Sequence, residues 1–466
     1  MTDLWADSRY PRKQEVKSSS QATPATISSD IRSAFQHDYD RILFSAPVRR
    51  LADKTQVWPM DENDGVRTRL THSHEVANLA RSIGTRISKS GGLPGADLME
   101  TIQPILQAIG LAHDLGNPPF GHQGEAAIGR WFSNNFVSIE KKCPPEEWKT
   151  VKPYLAEFEN FDGNAQTIRL LVNLQAHIAG LGLDLTAATL VAALKYPVGT
   201  TGVDKTIHAK SKIGYFWSEE EIIRWVRDKT GLEEGQRHPL TWIMEACDDI
   251  AYSVLDVDDV LKKGIISPDD VLITLDNDKS IADKKIIEKI KSKFTEISHL
   301  QNDSDIKKDI KIQYLRAYLL EDLIKSACDN FSVHRELIFN FRHTKGLLDD
   351  NDLCLSLKKI SKKFCFNNEV VLRQEAIGAD AIDGLMTAFW KGITDRKDRN
   401  TLLSKRNLPF SKYMFSLISP NYVECAVRPH TLPTVYREMR LLTDMISGMT
   451  DTFALNLWHK VQAIPQ

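Results

Sequence analysis

The stretch Ile109 to Glu125, IGLAHDLGNPPFGHQGE, constrains this chain more than any other. Ile102, Ile105, Leu106 and Ile109 recur three and four residues apart, the spacing of a buried helical stripe, and His113 lies four residues beyond Ile109 on that stripe. An imidazole followed at once by a carboxylate, Asp114, therefore sits at the inner end of a helix. Gly116, Pro118, Pro119, Gly121 and Gly124 predict a loop that folds the chain back while carrying His122 and Glu125. A lone inward histidine is ordinarily a core residue with one hydrogen bond. Two imidazoles and two carboxylates converging on a rigid polar loop point instead to chemistry.

Three further stretches aim polar groups at the same interior. In RTRLTHSHEVANLARSIGTRI, His72, Val76, Leu79, Ile83 and Ile87 share one helical face, so His72 points with the core stripe. Arg67 and Arg69 stand just before this helix, where free amides and guanidinium forks together favour a phosphate. In LTAATLVAALKYP the helix must end by Tyr196, because Pro197 restricts the residue before it. Lys195 is left at a helix terminus, by itself an ordinary partner for the helix dipole. In PLTWIMEACDDIAYSVLDVDDVL, Ile243, Cys247, Ala251 and Val254 form an apolar stripe. Asp248, Tyr252 and Asp256, spaced by four, predict a second line along the same helix, the wall of a pocket. Asp258 and Asp259 suit an exposed acidic face.

His72, His113, Asp114 and Asp248 thus come from three helices, and two nitrogens with two oxygens suit a borderline divalent cation. Coordination positions stay open for water and substrate. A metal held this way lowers the pKa of its water and polarises a phosphoryl oxygen, which is what phosphoester hydrolysis needs.

The rest of the chain bounds the fold. There is no sustained strand alternation, no internal repeat and no glycine-rich phosphate loop before a lysine, so the expected class is all-α. Residues 1–29, with a Ser/Thr/Ala/Pro tract, predict a mobile segment, and order is expected from a helix cap at Asp30. A core over 30–275 is followed by a charged insertion, 276–310, read as short, partly exposed helices or mobile chain, and by a C-terminal helical lobe, 311–466, packed on the core. Arg49, Arg50 and Lys54 crowd one region, the ordinary mark of a solvated face, and Gln56, Trp58 and Pro59 leave it as a loop. With 60 Lys and Arg against 62 Asp and Glu, spread along the chain, there is no basic block of the kind that makes a constitutive nucleic-acid arm. The six cysteines lack metal spacing and read as packing residues in a reducing compartment. No apolar run suits a membrane span or a signal peptide, so a cytoplasmic protein without membrane contact is expected.

RTRLTHS, HDLGNPPFGHQGE, NFDGNAQTIRL, LKYP, WIMEACDDIAY and ISGMTD together resemble the deoxyguanosine triphosphate triphosphohydrolase branch of the metal-dependent HD phosphohydrolases. The resemblance covers Arg41 to Asp256 and resumes at Tyr436 to Phe453. It implies an all-α fold, a divalent metal (Mg²⁺ or Mn²⁺), and hydrolysis of a deoxynucleoside triphosphate, dGTP preferred, at the α-phosphorus to deoxynucleoside and inorganic triphosphate. It also implies a homo-oligomer, commonly a hexamer, and it allows a nucleotide or single-stranded DNA effector. Residue by residue, it makes His72, His113, Asp114 and Asp248 the metal ligands. His122 and Glu125 become the proton-transfer pair, acting on the water or on the leaving 5′-oxygen. Arg69 and Lys195 fall on the phosphates, Tyr252 against C2′ of the sugar, and Gln56 with Asp256 on the 3′-hydroxyl, so that deoxy over ribo selection follows. Other HD branches fit less well. The alarmone type has an acidic pair where this chain has Asn117 and Pro118, and the cyclic-dinucleotide type has a GYP signature that is absent. A sensing or single-strand-binding protein without turnover would not need His122 and Glu125, and a triphosphohydrolase of broader base choice keeps the same site.

Overall fold

The computed structural model describes residues 2–11, 31–60, 65–177, 180–428 and 431–464. Among them regular structure is helical except for one short antiparallel pair, Ala176–His177 with Gly180–Leu181, so the all-α expectation holds. The principal helices are α1 (Ala34–Leu43), α2 (Arg69–Lys89), α3 (Gln103–Ala112), α4 (Gly121–Glu140), α5 (Gly163–Val172), α6 (Ala187–Ala193), α7 (Glu220–Thr230), α8 (Pro239–Ile250) and α9 (Asp256–Lys262). They are followed by α10 (Lys285–Ser298), α11 (Ser304–Phe339), α12 (Asp352–Ser361), α13 (Glu369–Thr394), α14 (Thr434–Ser447) and α15 (Asp451–Gln462). None of the described helices is long and apolar enough to cross a membrane.

Two apolar cores meet along α3. One gathers Val76 and Ile83 of α2, Ile105 and Ile109 of α3, Ile243 and Ile250 of α8, and Leu319 and Leu323 of α11. The other gathers Phe132 of α4, Ile168 of α5, Ile382 and Phe389 of α13 and Leu442 of α14, together with Ala108, Leu111 and Ala112 from the opposite side of α3. Each such aliphatic or aromatic side chain contributes about 1.5–3 kcal/mol on burial. The C-terminal end of α3 is thus fixed from both sides, and the polar loop that follows emerges at the seam. Gly110 sets how closely α2 and α3 approach, since a Cβ there would stand 2.7 Å from the Cα of Ala77. That close crossing brings the His72 and His113 rings together, tilted with centroids 5.3 Å apart.

Several expectations change. Residues 2–11 are not mobile chain: Ala6 is buried, the Ala6 carbonyl accepts from Ala188 N and the Ser8 carbonyl from Ala187 N, and Arg9 pairs with the fully buried Asp38 at 2.8 Å. Apolar poverty starts later than the motif-free N-terminus suggests, and Asp30 with residues 12–29 lies outside the described residues. Ser33 caps α1 instead, accepting from Gln36 N. The helix after the glycine-proline loop begins at Gly121 rather than after Glu125, because Phe120 takes a left-handed conformation (φ 61°) that turns the chain in one residue. Residues 311–466 do not form one lobe: α11 joins the core of α2 and α8, whereas α13 and α14 join that of α4 and α5. Within 276–310, α10 buries Ile287, Ile290, Phe294 and Ile297, a complete helical stripe among the charges.

Candidate active site

α2, the C-terminus of α3 and the C-terminal half of α8 deliver His72, His113 and Asp248 to one point. One ligand atom from each lies within 4.8 Å of the others, a group able to hold a metal ion. His72 Nε2 and His113 Nε2 stand 3.4 and 3.5 Å from the same oxygen, Asp248 Oδ1. Both nitrogens are buried and make no hydrogen bond. Buried imidazole nitrogens are seldom left orphaned, so this pair is shaped for a ligand that the protein itself does not supply. His113 Nδ1 donates to the Gly110 carbonyl at 2.7 Å, which fixes the ring and turns the Nε2 lone pair of the neutral form inward. Burial pulls the His113 pKa down, but the charges of Asp114 and Asp248 outweigh it and set the group at about 9. Burial pushes Asp248 up, and Lys195 with the two imidazoles overrides this, holding it well below the carboxylate range.

Asp114 stands at the rim of the group, its Oδ1 3.7 Å from His113 Nε2. Arg69 Nη1 donates to Asp114 Oδ2 and Asn117 Nδ2 to Asp114 Oδ1, each at 2.6 Å. Arg69, expected on phosphate, is therefore engaged with a carboxylate of the site. Lys195 likewise lies 3.3 Å from Asp248 Oδ2 and 3.9 Å from Glu245 Oε1. Both cations border the histidine pair, within a side-chain movement of an anion placed there. Arg67 is taken up elsewhere, bound by Glu75, Asp258 and Asp259. Asp258 and Asp259 are consequently buried at 1% exposure, not the acidic surface face that their spacing suggests.

His122 and Glu125 occupy the first turns of α4, where three-residue spacing puts them side by side. His122 Nδ1 meets Glu125 Oε2 at 2.8 Å, and the His122 side chain is 81% exposed, open to a substrate. The bond to Glu125 raises the His122 pKa. Glu125 Oε1 accepts from Gly163 N at the start of α5 at 2.7 Å. The carboxylate is thus held at one oxygen and presents the other to the imidazole.

Tyr252 lies in a π-helical turn, Ala251–Leu255, between α8 and α9. The wider turn breaks the simple four-residue line with Asp248 and Asp256, and Tyr252 stacks on Phe366 with ring centroids 5.5 Å apart. Asp256 is 1% exposed, and burial together with the charge of Asp259 pushes its pKa well up. Its Oδ2 makes no hydrogen bond, nor does Gln56 Oε1. Gln56 precedes Val57 and Trp58, which pack with Val260 and Cys365, and Cys365 Sγ donates to the Asp256 carbonyl. Two buried oxygens without partners thus belong to segments that flank the same small apolar cluster.

Sequence reading missed Asn117, Gly163 and Lys54. Lys54 is 3% exposed rather than on a solvated face; its Nζ donates to the carbonyls of Asn117 (2.5 Å) and Ser447 (2.8 Å). Gly163 had a signal, as the glycine of the NFDGNAQTIRL motif, and Asn117 had one as the polar residue inside the loop. Lys54 had none, because its acceptors are main-chain carbonyls far off in sequence.

Comparison with known proteins agrees with this geometry. Residues 69–157 match the HD domain family. The chain is 32% identical to a deoxyguanosinetriphosphate triphosphohydrolase-like protein of Listeria monocytogenes, over 94% of this chain and 95% of that one. It is 30% identical to the deoxyguanosinetriphosphate triphosphohydrolase of Yersinia pestis, over 93% and 94% of the two chains. At 30–32% identity over more than nine-tenths of both chains, the chain belongs to the HD-domain deoxyguanosine triphosphate triphosphohydrolase family.

Proposed function

We propose that the protein hydrolyses deoxynucleoside triphosphates, dGTP preferred, at the α-phosphorus, releasing deoxynucleoside and inorganic triphosphate. The observation that carries the reading is the pair of buried, unbonded imidazole nitrogens on Asp248, set next to an exposed His122–Glu125 pair. His72, His113, Asp114 and Asp248 would hold a divalent metal, Mg²⁺ or Mn²⁺, which when bound supplies a Lewis acid and a more acidic water. Arg69 and Lys195 bind the phosphate tail, exchanging their carboxylate partners for phosphate oxygens. His122, kept in one tautomer by Glu125, moves a proton at the water or at the 5′-oxygen. Tyr252 closes the space at C2′, while Gln56 and Asp256 bond the 3′-hydroxyl with the oxygens that lack partners. The preference for dGTP, a hexameric assembly, an effector nucleotide or single strand, and a cytoplasmic setting rest on the family alone.

The test is a metal-stripped preparation given each deoxynucleoside triphosphate, with and without Mn²⁺ or Mg²⁺, and followed for free deoxynucleoside. Metal-dependent release, fastest with dGTP, is expected. Equal use of all four substrates would overturn the base preference, and release without metal would overturn the metal role.

A further inference from the structure

We infer that Asn117 is a positioning residue that keeps the metal-ligand carboxylate and the proton-transfer pair in one register. The inference rests on the metal reading of the His72, His113, Asp114 and Asp248 group.

Asp114 is gripped at both oxygens, by Arg69 at Oδ2 and by the Asn117 amide at Oδ1. Each carboxylate oxygen has two lone pairs, so both bonds leave one free for a cation while setting the plane of the group. Losing a donor that orients a ligating carboxylate in this way typically costs about 10- to 100-fold in metal affinity. The other end of the same side chain faces α5. A Cβ added at Gly163 would stand 2.0 Å from Asn117 Oδ1 and 3.1 Å from Glu125 Oε1. The Gly163 main chain therefore lies directly against both side chains, and its N–H holds Glu125, which holds His122. The path from the metal ligand to the exposed imidazole is contiguous: Asp114, Asn117, Gly163, Glu125, His122.

Asn117 cannot give way by moving its backbone. Its carbonyl accepts from the buried Lys54 Nζ, which is itself tied to Ser447 at the end of α14, and its N–H donates to the Asp114 carbonyl at 3.3 Å. Next door, Gly116 N donates to Thr167 Oγ1 of α5. An aspartate at 117 would place a second carboxylate 2.6 Å from Asp114, and an apolar residue would leave Asp114 Oδ1 without its donor. An amide of this length serves both contacts.

The test is Mn²⁺ titration by calorimetry of metal-stripped wild type, Asn117→Ala, Gly163→Ala and the double variant, with circular dichroism as the control for folding. Asn117→Ala is expected to weaken Mn²⁺ binding about 10- to 100-fold with the helical signal unchanged. Gly163→Ala is expected to weaken it similarly, because the new methyl group drives the amide off Asp114. In the double variant that methyl has no amide to displace, so the affinity should match Asn117→Ala alone instead of showing two additive losses. Wild-type affinity in Asn117→Ala, or full additivity in the double variant, would overturn the inference. If Gly163→Ala fails to fold, the Asn117→Ala titration decides alone. A wild-type protein that takes up no Mn²⁺ would overturn the metal reading itself, so the two failures are distinguishable.

Discussion

His122 is the most exposed of the proposed site groups, and among the described residues its one hydrogen-bond partner is Glu125. Removing it should therefore disturb rate and little else. His122→Ala is expected to lower kcat by about 10²- to 10⁴-fold while leaving KM and Mn²⁺ affinity close to wild type; a loss confined to KM would make His122 a binding residue. The role proposed for Tyr252 is one of bulk. Tyr252→Ala should raise GTP hydrolysis relative to dGTP in a side-by-side assay, and an unchanged ratio would count against the gate. At this scale the sequence was legible where chemistry and periodicity coincide. His72, His113 and Asp248 each fall on a helical stripe, and the structure brings them together. Arg69 shows the limit, because a residue type states what it can bind and not which partner it meets first; here that partner is Asp114.

Elements were legible where apolar spacing is regular and less so where tertiary contacts set a boundary. The start of α4 depends on Phe120, whose N–H donates to Asp451 at the N-terminus of α15, a contact that no local pattern announces. The segment around Lys54 was misjudged for the same reason. It is pinned to the same corner, Asp451 accepting from Thr55 N at 3.1 Å. Burial is the main influence on Lys54, and it lowers the pKa to about 7. A neutral amine has two N–H groups, matching the two carbonyls that it meets. The native pKa lies below the unfolded value near 10.4, so between about pH 7 and 10 the unfolded chain binds more protons and stability must rise with pH. Chemical denaturation of wild type and Lys54→Met should show this contribution in the wild type only, with a slope of at most about 1.4 kcal/mol per pH unit. Parallel profiles for the two proteins would mean that Lys54 stays charged.

At the scale of the whole molecule, two cores share α3, and the site lies at their seam. The N-terminal residues close this arrangement from outside. Trp5 packs edge-on against His238, the N-cap of α8, and Arg9 neutralises Asp38 beside the N-terminus of α6. α6 leads to Lys195 and α8 carries Asp248, so this strap braces both helices. Arg9→Ala would leave Asp38 buried without its cation, and urea unfolding should show a loss of about 3–5 kcal/mol; a loss below 1 kcal/mol would mean that the Thr186 hydrogen bonds suffice. Such long-range arrangement was the least legible part of the chain, since residues 2–11 carry too few apolar residues to mark themselves as packed.

The proposed reaction is attack at the α-phosphorus, and isotope tracing tests that directly. Turnover of dGTP in H₂¹⁸O with Mn²⁺, analysed by mass spectrometry, should give triphosphate carrying one ¹⁸O and unlabelled deoxyguanosine. A nucleoside diphosphate or monophosphate as first product, or label in the deoxyguanosine, would contradict the account.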